Sequence, residues 1–167
     1  MCVDDDVVVF GCQAMRSGVN LIDTSPSYGN SGSERMIGDV LRELEKEGIS
    51  REEIVVSTKV GYIEGNDLEM ARSAPPPDYL DMGPDAWHCI HPEFIRRSVD
   101  ASAERLGTPP DVVLLHSPEF FLTSREGVFK EGGSKRSREE LFDAFYDRVE
   151  KAFVCLEDLV VNEFKNC

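Results

Sequence analysis

The chain has 167 residues, 41% of them hydrophobic, and its 18 Lys and Arg stand against 32 Asp and Glu for a formal charge of −14. That is enough apolar material for one buried core, and it is not the composition of a disordered, collagen-like or membrane-spanning chain. The acidic excess opposes the phosphate neutralisation on which most nucleic-acid binding depends, so nucleic acid and anionic membrane are poor partners, and the interleaved charges read as a solvated surface.

The start, Met1-Cys2-Val3-Asp4-Asp5-Asp6, carries no basic leader. No apolar run approaches the ~18 residues of a spanning helix, so the expected compartment is the cytoplasm. Cysteines at 2, 12, 89, 155 and 167 are odd in number and scattered. With no Cys-x-x-Cys pair they read as free thiols.

In chain order, residues 4–17 predict a helix with Val7, Phe10 and Ala14 on one face, aspartates at its positive end and Gly18 as its stop. Val19-Asn20-Leu21-Ile22-Asp23 predicts a short strand, and Ser25-Pro26-Ser27-Tyr28-Gly29-Asn30 a loop. Ser31 and Glu34 have capping-box spacing before a helix through Ile37, Val40, Leu41 and Leu44 that Gly48 ends. The β-branched run Ile54–Val60 predicts a second strand of the kind buried on both faces.

Residues 64–87, with three successive prolines at 75–77, show no sustained periodicity. They read as a long functional or mobile loop, 64–90 with its flank. Pro92 opens a helix through Ile95, Val99, Ala103 and Leu106 to Gly107, and Asp111–His116 predicts a third buried strand. After another polar loop, Phe142, Phe145, Val149, Phe153, Leu156 and Val160 mark a long amphipathic helix near the C-terminus.

The order αβαβαβα predicts a parallel sheet with right-handed crossovers. A (β/α)8 barrel and an open flavodoxin-like sheet both satisfy it. Each strand ends its apolar run on one titratable residue: Asp23, Lys59 and His116. In parallel α/β folds the C-terminal strand ends face the active site, so three segments deliver a carboxylate, an amine and an imidazole to one rim. Singly, each has a plain structural role: Asp23 anchoring its turn, Lys59 snorkelling, His116 a satisfied core histidine. Three in succession outweigh those readings. Tyr28, five positions past Asp23, is the candidate acid, because a cation beside a phenol favours release of its proton.

Two other stretches carry weaker signals. His88-Cys89-Ile90-His91 has metal-ligating side chains but no second ligand pair at the required spacing, so no metal is expected. Gly29-Asn30-Ser31-Gly32-Ser33 lacks both the P-loop ending and the three-glycine fingerprint, and reads as the loop holding Tyr28.

The stretch Gly18–Gly29 with Ser33-Glu34, then Ser57-Thr58-Lys59-Val60, His91–Ile95, Arg105-Leu106-Gly107 and Val112–Glu119, in this order and spacing, resembles the aldo-keto reductases. The resemblance implies an NADPH-dependent oxidoreductase on a (β/α)8 barrel, passing hydride to an aldehyde or ketone. Tyr28 would protonate the developing alkoxide, Lys59 and Asp23 would tune it, and His116 would orient the carbonyl. Asp23 would also lie against the cofactor.

A full barrel has eight strands over about 250 residues, and this sequence predicts three. The expectation is one truncated domain over 1–167: a partial barrel, not closed, the N-terminal half of its family. It would begin in the helix after the first barrel strand and stop before the fifth. Most of the cofactor-binding segment would be absent, and a C-terminal half or partner chain would be missing. Open sheet edges and an acidic surface support a second reading, a non-catalytic half-barrel interaction module.

Overall fold

The computed structural model describes residues 5–130 and 132–162. The described residues of Met1–Lys59 and Val99–Leu114 form one compact unit, and those of Val60–Ser98 and Leu115–Cys167 a second.

In the first unit, α1 (Asp5–Arg16) leads to β1 (Leu21–Asp23), then α2 (Gly32–Lys46) and β2 (Val55–Val60). The sheet is completed by β6 (Val112–Leu115), in the order β1-β2-β6. β1 and β2 are parallel, with Leu21 opposite Val55 and Asp23 opposite Ser57. β6 also runs parallel to β2: Asp111 N–H bonds the Val56 carbonyl, and His116 N–H the Val60 carbonyl. Strands standing in chain order, with helices on one face, form an arc of a barrel. A doubly wound sheet reverses strand order and carries helices on both faces, so the flavodoxin-like alternative is set aside.

The covered face buries Ile22 and Val56 against Cys12, Ile37, Val40, Leu41, Leu44 and Leu106. The other face is open at the edges of the sheet, where Leu21 is 58% exposed, Val55 36%, Val112 38% and Leu114 44%. The central strand is buried on both faces from Val56 to Thr58, as its β-branched run predicts, with Ser57 6% and Thr58 1% exposed. The third strand, expected to be buried, is instead half-open.

Helix faces differ from expectation as well. In α1 the stripe packed on the core is Val8, Cys12 and Met15, while Phe10 is 74% exposed. Four successive apolar residues, Val7 to Phe10, leave the periodicity unable to choose a face. Docking chooses instead, at a crossing where a Cβ on Gly11 would lie 2.8 Å from Val40. The expected capping box on α2 does not form. Ser31 has left-handed φ of 64° and makes no side-chain cap, and a capping box stands instead at Ser50 and Glu53.

The second unit replaces the expected loop 64–87 with regular structure. β3 (Tyr62–Glu64), α3 (Gly65–Ser73), β4 (Leu80–Asp81) and β5 (Ala86–His88) occupy it. Their strands form an antiparallel sheet in the order β3-β5-β4. Strands of two or three residues are too short for a period-two pattern to register in sequence. Ile63, Leu68, Ala71 and Leu80 are buried there, and Tyr79 stacks on Trp87 at 4.2 Å. The unit also holds α5 (Arg125–Val128) and α6 (Arg138–Asn162). The buried stripe of α6 is Ala152, Cys155 and Leu159, whereas the expected core positions Phe153 and Val160 are 52% and 61% exposed. α4 (Pro92–Leu106) begins at Pro92 as expected. Among the described residues no helix is long and apolar enough to cross a membrane.

Candidate active site

The parallel register sets the geometry. Residues alternate faces along a strand, so Asp23, Ser57 and Lys59 share the face of the sheet opposite the helices. Asp23 stands opposite Ser57, one step short of Lys59. The lysine side chain therefore reaches across the strand end to the carboxylate, with Nζ 2.5 Å from Asp23 Oδ2. Nζ also donates to the Thr24 carbonyl at 2.9 Å and to the Tyr28 hydroxyl oxygen at 3.1 Å. Three donors meet three acceptors, the full capacity of an ammonium. The ammonium lies 4.7 Å from the centroid of the Tyr28 ring.

Burial of Lys59 acts to lower its pKa, but the bonds to Asp23 and Tyr28 outweigh it, and the group stands above the ordinary lysine value. The lysine is charged at any physiological pH. Its side chain is 12% exposed, while Asp23 is 49% and Tyr28 42% exposed. A buried cation thus sits beneath a carboxylate and a phenol that both face solvent.

The Tyr28 loop is closed on itself. Tyr28 N–H donates to the Ser25 carbonyl, Ser31 N–H to that of Pro26, and Ser33 N–H to that of Tyr28. Asn30 and Ser31, both non-glycine, hold left-handed φ of 54° and 64°. Backbone in that region is costly and persists where surrounding bonds over-determine it. Because the N–H groups of Ser31, Gly32 and Ser33 are spent inside the turn, the glycine-rich stretch is built to hold Tyr28 and presents no phosphate cradle.

Beneath the site, Glu34 is fully buried. One of its oxygens accepts from Thr58 Oγ1 at 2.6 Å and the other from Arg105 Nε at 2.6 Å. Thr58 precedes Lys59, so this network ties α2, the lysine strand and α4 together. Nothing in the sequence distinguished Glu34 from a helix-capping residue.

His116 belongs to the second unit. Its ring meets Tyr62 edge-on, with centroids 4.6 Å apart. The structure therefore brings three of the four predicted residues, Asp23, Tyr28 and Lys59, into direct contact, and holds the fourth among aromatic neighbours of its own unit. The 88–91 motif is used structurally. Cys89 Sγ donates to the Pro77 carbonyl, His91 Nδ1 accepts from Glu93 N–H, and burial pushes the Cys89 thiol up to about 11. Among the described residues no three His, Cys, Asp or Glu side chains converge on a metal position.

Comparison with known proteins agrees with this architecture. The model of the Aldo/keto reductase family matches residues 4–162. The L-galactose dehydrogenase of Arabidopsis thaliana is 34% identical over 119 residues, which cover 70% of this chain and 30% of that protein. The NADH-specific methylglyoxal reductase of Escherichia coli is 33% identical over 121 residues, 70% of this chain and 33% of that protein. A solved structure, an aldo-keto reductase from Bacillus halodurans in its holo form, matches 95% of this chain and 38% of its own with a TM-score of 0.60 at 19% identity, a likeness of fold. The chain thus spans about a third of the length of these relatives. With three parallel strands in barrel order and a family match along nearly its whole length, the chain belongs to the aldo/keto reductase family, as a partial and unclosed (β/α)8 barrel.

Proposed function

We propose that this chain carries the proton-donating part of a site that reduces aldehydes or ketones to alcohols at the expense of NADPH or NADH. The observation that carries the reading is the contact of Lys59 Nζ with both Asp23 and the Tyr28 oxygen. Hydride added to a carbonyl carbon leaves an alkoxide that must take up a proton. Tyr28 gives its phenolic proton to that oxygen, and the Lys59 ammonium stabilises the phenolate left behind. Asp23 keeps Lys59 oriented, and His116 steers the carbonyl oxygen. The products are the alcohol, the oxidised cofactor and a phenolate that regains its proton from solvent.

The exposed edge of the Asp23 carboxylate, on the sheet face opposite the helices and beside a solvent-facing phenol, fits a nicotinamide ribose. Asp23 is the residue on this chain that would hold that end of the cofactor, which supplies hydride when bound. We read the two compact units together as one partial barrel domain. Cys12, Cys89 and Cys155 are buried and form no disulfide among the described residues, in keeping with the reducing cytoplasm.

The test is the loss of reduced-cofactor absorbance with a small aldehyde. Tyr28→Phe is expected to lower kcat by about 10²–10⁴-fold, the usual worth of a general acid, with KM little changed. Equal turnover by the wild type and Tyr28→Phe would sink the assignment. The partly exposed apolar sheet face favours a second reading, a non-catalytic module that pairs with further barrel strands of another polypeptide. A folded monomer that reduces aldehyde would exclude it.

A further inference from the structure

The antiparallel sheet that stands in place of the expected loop delivers one residue to a particular backbone atom. His88 ends β5, opposite Tyr62 on one side and Leu80 on the other, and is 1% exposed. Its Nε2 lies 2.6 Å from the His116 carbonyl oxygen. A carbonyl only accepts, so the Nε2 proton is the one in the bond, and the imidazole is fixed in that tautomer. Nδ1 is buried and has no hydrogen-bond partner among the described residues.

The surroundings leave His88 little freedom. The Tyr62 ring meets both imidazoles edge-on, at 5.8 Å from His88 and 4.6 Å from His116, and Phe120 meets His88 at 5.9 Å. Gly61 lies against the bond itself. A Cβ there would come 2.7 Å from both the His116 oxygen and His88 Nε2, so only glycine fits. The preceding peptide donates the His116 N–H to the Val60 carbonyl. The next residue, Ser117, turns left-handed with φ of 52°. The peptide that follows, which carries the His116 carbonyl, is held by the His88 bond where the strand meets that turn.

We propose that His88 is a positioning residue for His116: its Nε2–H clamps the His116 carbonyl, fixes that peptide plane and so sets the direction of the His116 ring against Tyr62. The functional consequence rests on the reading that His116 steers the substrate carbonyl. A buried, neutral side chain in a short accessory sheet would then set the angle of a residue in the reaction site. The same contact gives a structural use to a histidine of the 88–91 stretch, where no metal is expected.

Nitrogen-15 imidazole NMR of the intact chain tests this without requiring turnover. In the wild type His88 is expected as the Nε2–H tautomer, and His116 to show ring-current shifts from Tyr62. His88→Leu removes the donor and is expected to shift the His116 ring resonances, because the ring is no longer held at its wild-type angle against Tyr62. His88→Gln places an amide N–H near the same point and is expected to restore them. Identical His116 ring shifts in wild type and His88→Leu would overturn the clamp. So would an Nδ1–H tautomer of His88 in the wild type, which decides the matter even if His88→Leu does not fold. A chain that reduces no aldehyde yet shows the His116 response keeps the clamp and loses the reductase reading. Aldehyde reduction with an indifferent His116 does the reverse.

Discussion

At the scale of single residues, Lys59 and Glu34 show two uses of burial. Lys59 is a buried cation whose partners open to solvent, an arrangement suited to chemistry. Glu34 is a buried anion whose partners are Thr58 and Arg105, an arrangement suited to holding a strand in place. Removing one partner of a buried pair strands the other charge. Glu34→Ala is therefore expected to cost about 3 kcal/mol in urea denaturation, and Glu34→Gln, which keeps an acceptor for Thr58, distinctly less. Equal costs would show that the charge contributes nothing.

His88 gives a pH dependence of definite sign. Burial, assisted by the Arg148 charge, depresses its pKa, and the bond to the His116 carbonyl only partly offsets this. An unfolded histidine titrates near ~6.5. Between that value and the lower folded one, the unfolded chain takes up a proton that the folded chain refuses, so stability falls as pH drops through about 6.5 and levels off below the folded value. Denaturation at a series of pH values should show this slope in the wild type and its reduction in His88→Gln.

Asp23, Lys59 and His116 were legible in sequence because each ends an apolar run where a core residue would otherwise stand. Glu34 was not, since three-residue spacing from a serine fits a capping box as well as a buried pair. His88 was visible as a ligand-type residue, but its carbonyl partner lies 28 positions away. No local pattern encodes that pairing.

At the scale of elements, existence was easier to read than facing. The barrel helices and the three parallel strands followed from periodicity and from glycine stops. The inward faces of α1 and α6 did not, because consecutive apolar residues there satisfy several faces at once. Where two helices approach closely the sequence does carry a signal, in a glycine placed among larger residues. A Cβ on Gly38 of α2 would fall 2.6 Å from the Arg105 carbonyl of α4. Gly38→Ala gains helix propensity and still should lose about 1–3 kcal/mol, because backbone atoms cannot yield as a flexible side chain can. A thermal melt unchanged from the wild type would contradict that close packing.

At the scale of the whole molecule, an arc of barrel exposes the side that a closed barrel fills. Leu21, Val55, Val112 and Leu114 line that side beside Lys59, so the apolar face and the proposed chemistry share one surface. Such a patch favours association. Leu114→Glu should reduce self-association in sedimentation while changing unfolding free energy within about 0.5 kcal/mol, as for other exposed positions. Unchanged association would place the contact elsewhere. The three-stranded extent and lack of closure were readable by counting strands, but the exposure of Leu21, Val55, Val112 and Leu114 was not, since a strand's composition is the same whether or not its second layer is present.

The account depends most on Asp23, Lys59 and Tyr28 acting as one electrostatic unit. Nitrogen-15 NMR titration of the Lys59 ammonium measures this directly. The account predicts a value above the ordinary ~10.4 of lysine. The ion pair's stabilisation is then complete below that pH and is lost as pH rises through the folded value. Asp23→Asn should bring the value down as burial comes to dominate, and Tyr28→Phe should lower it less. An ordinary lysine value, indifferent to both substitutions, would contradict the account.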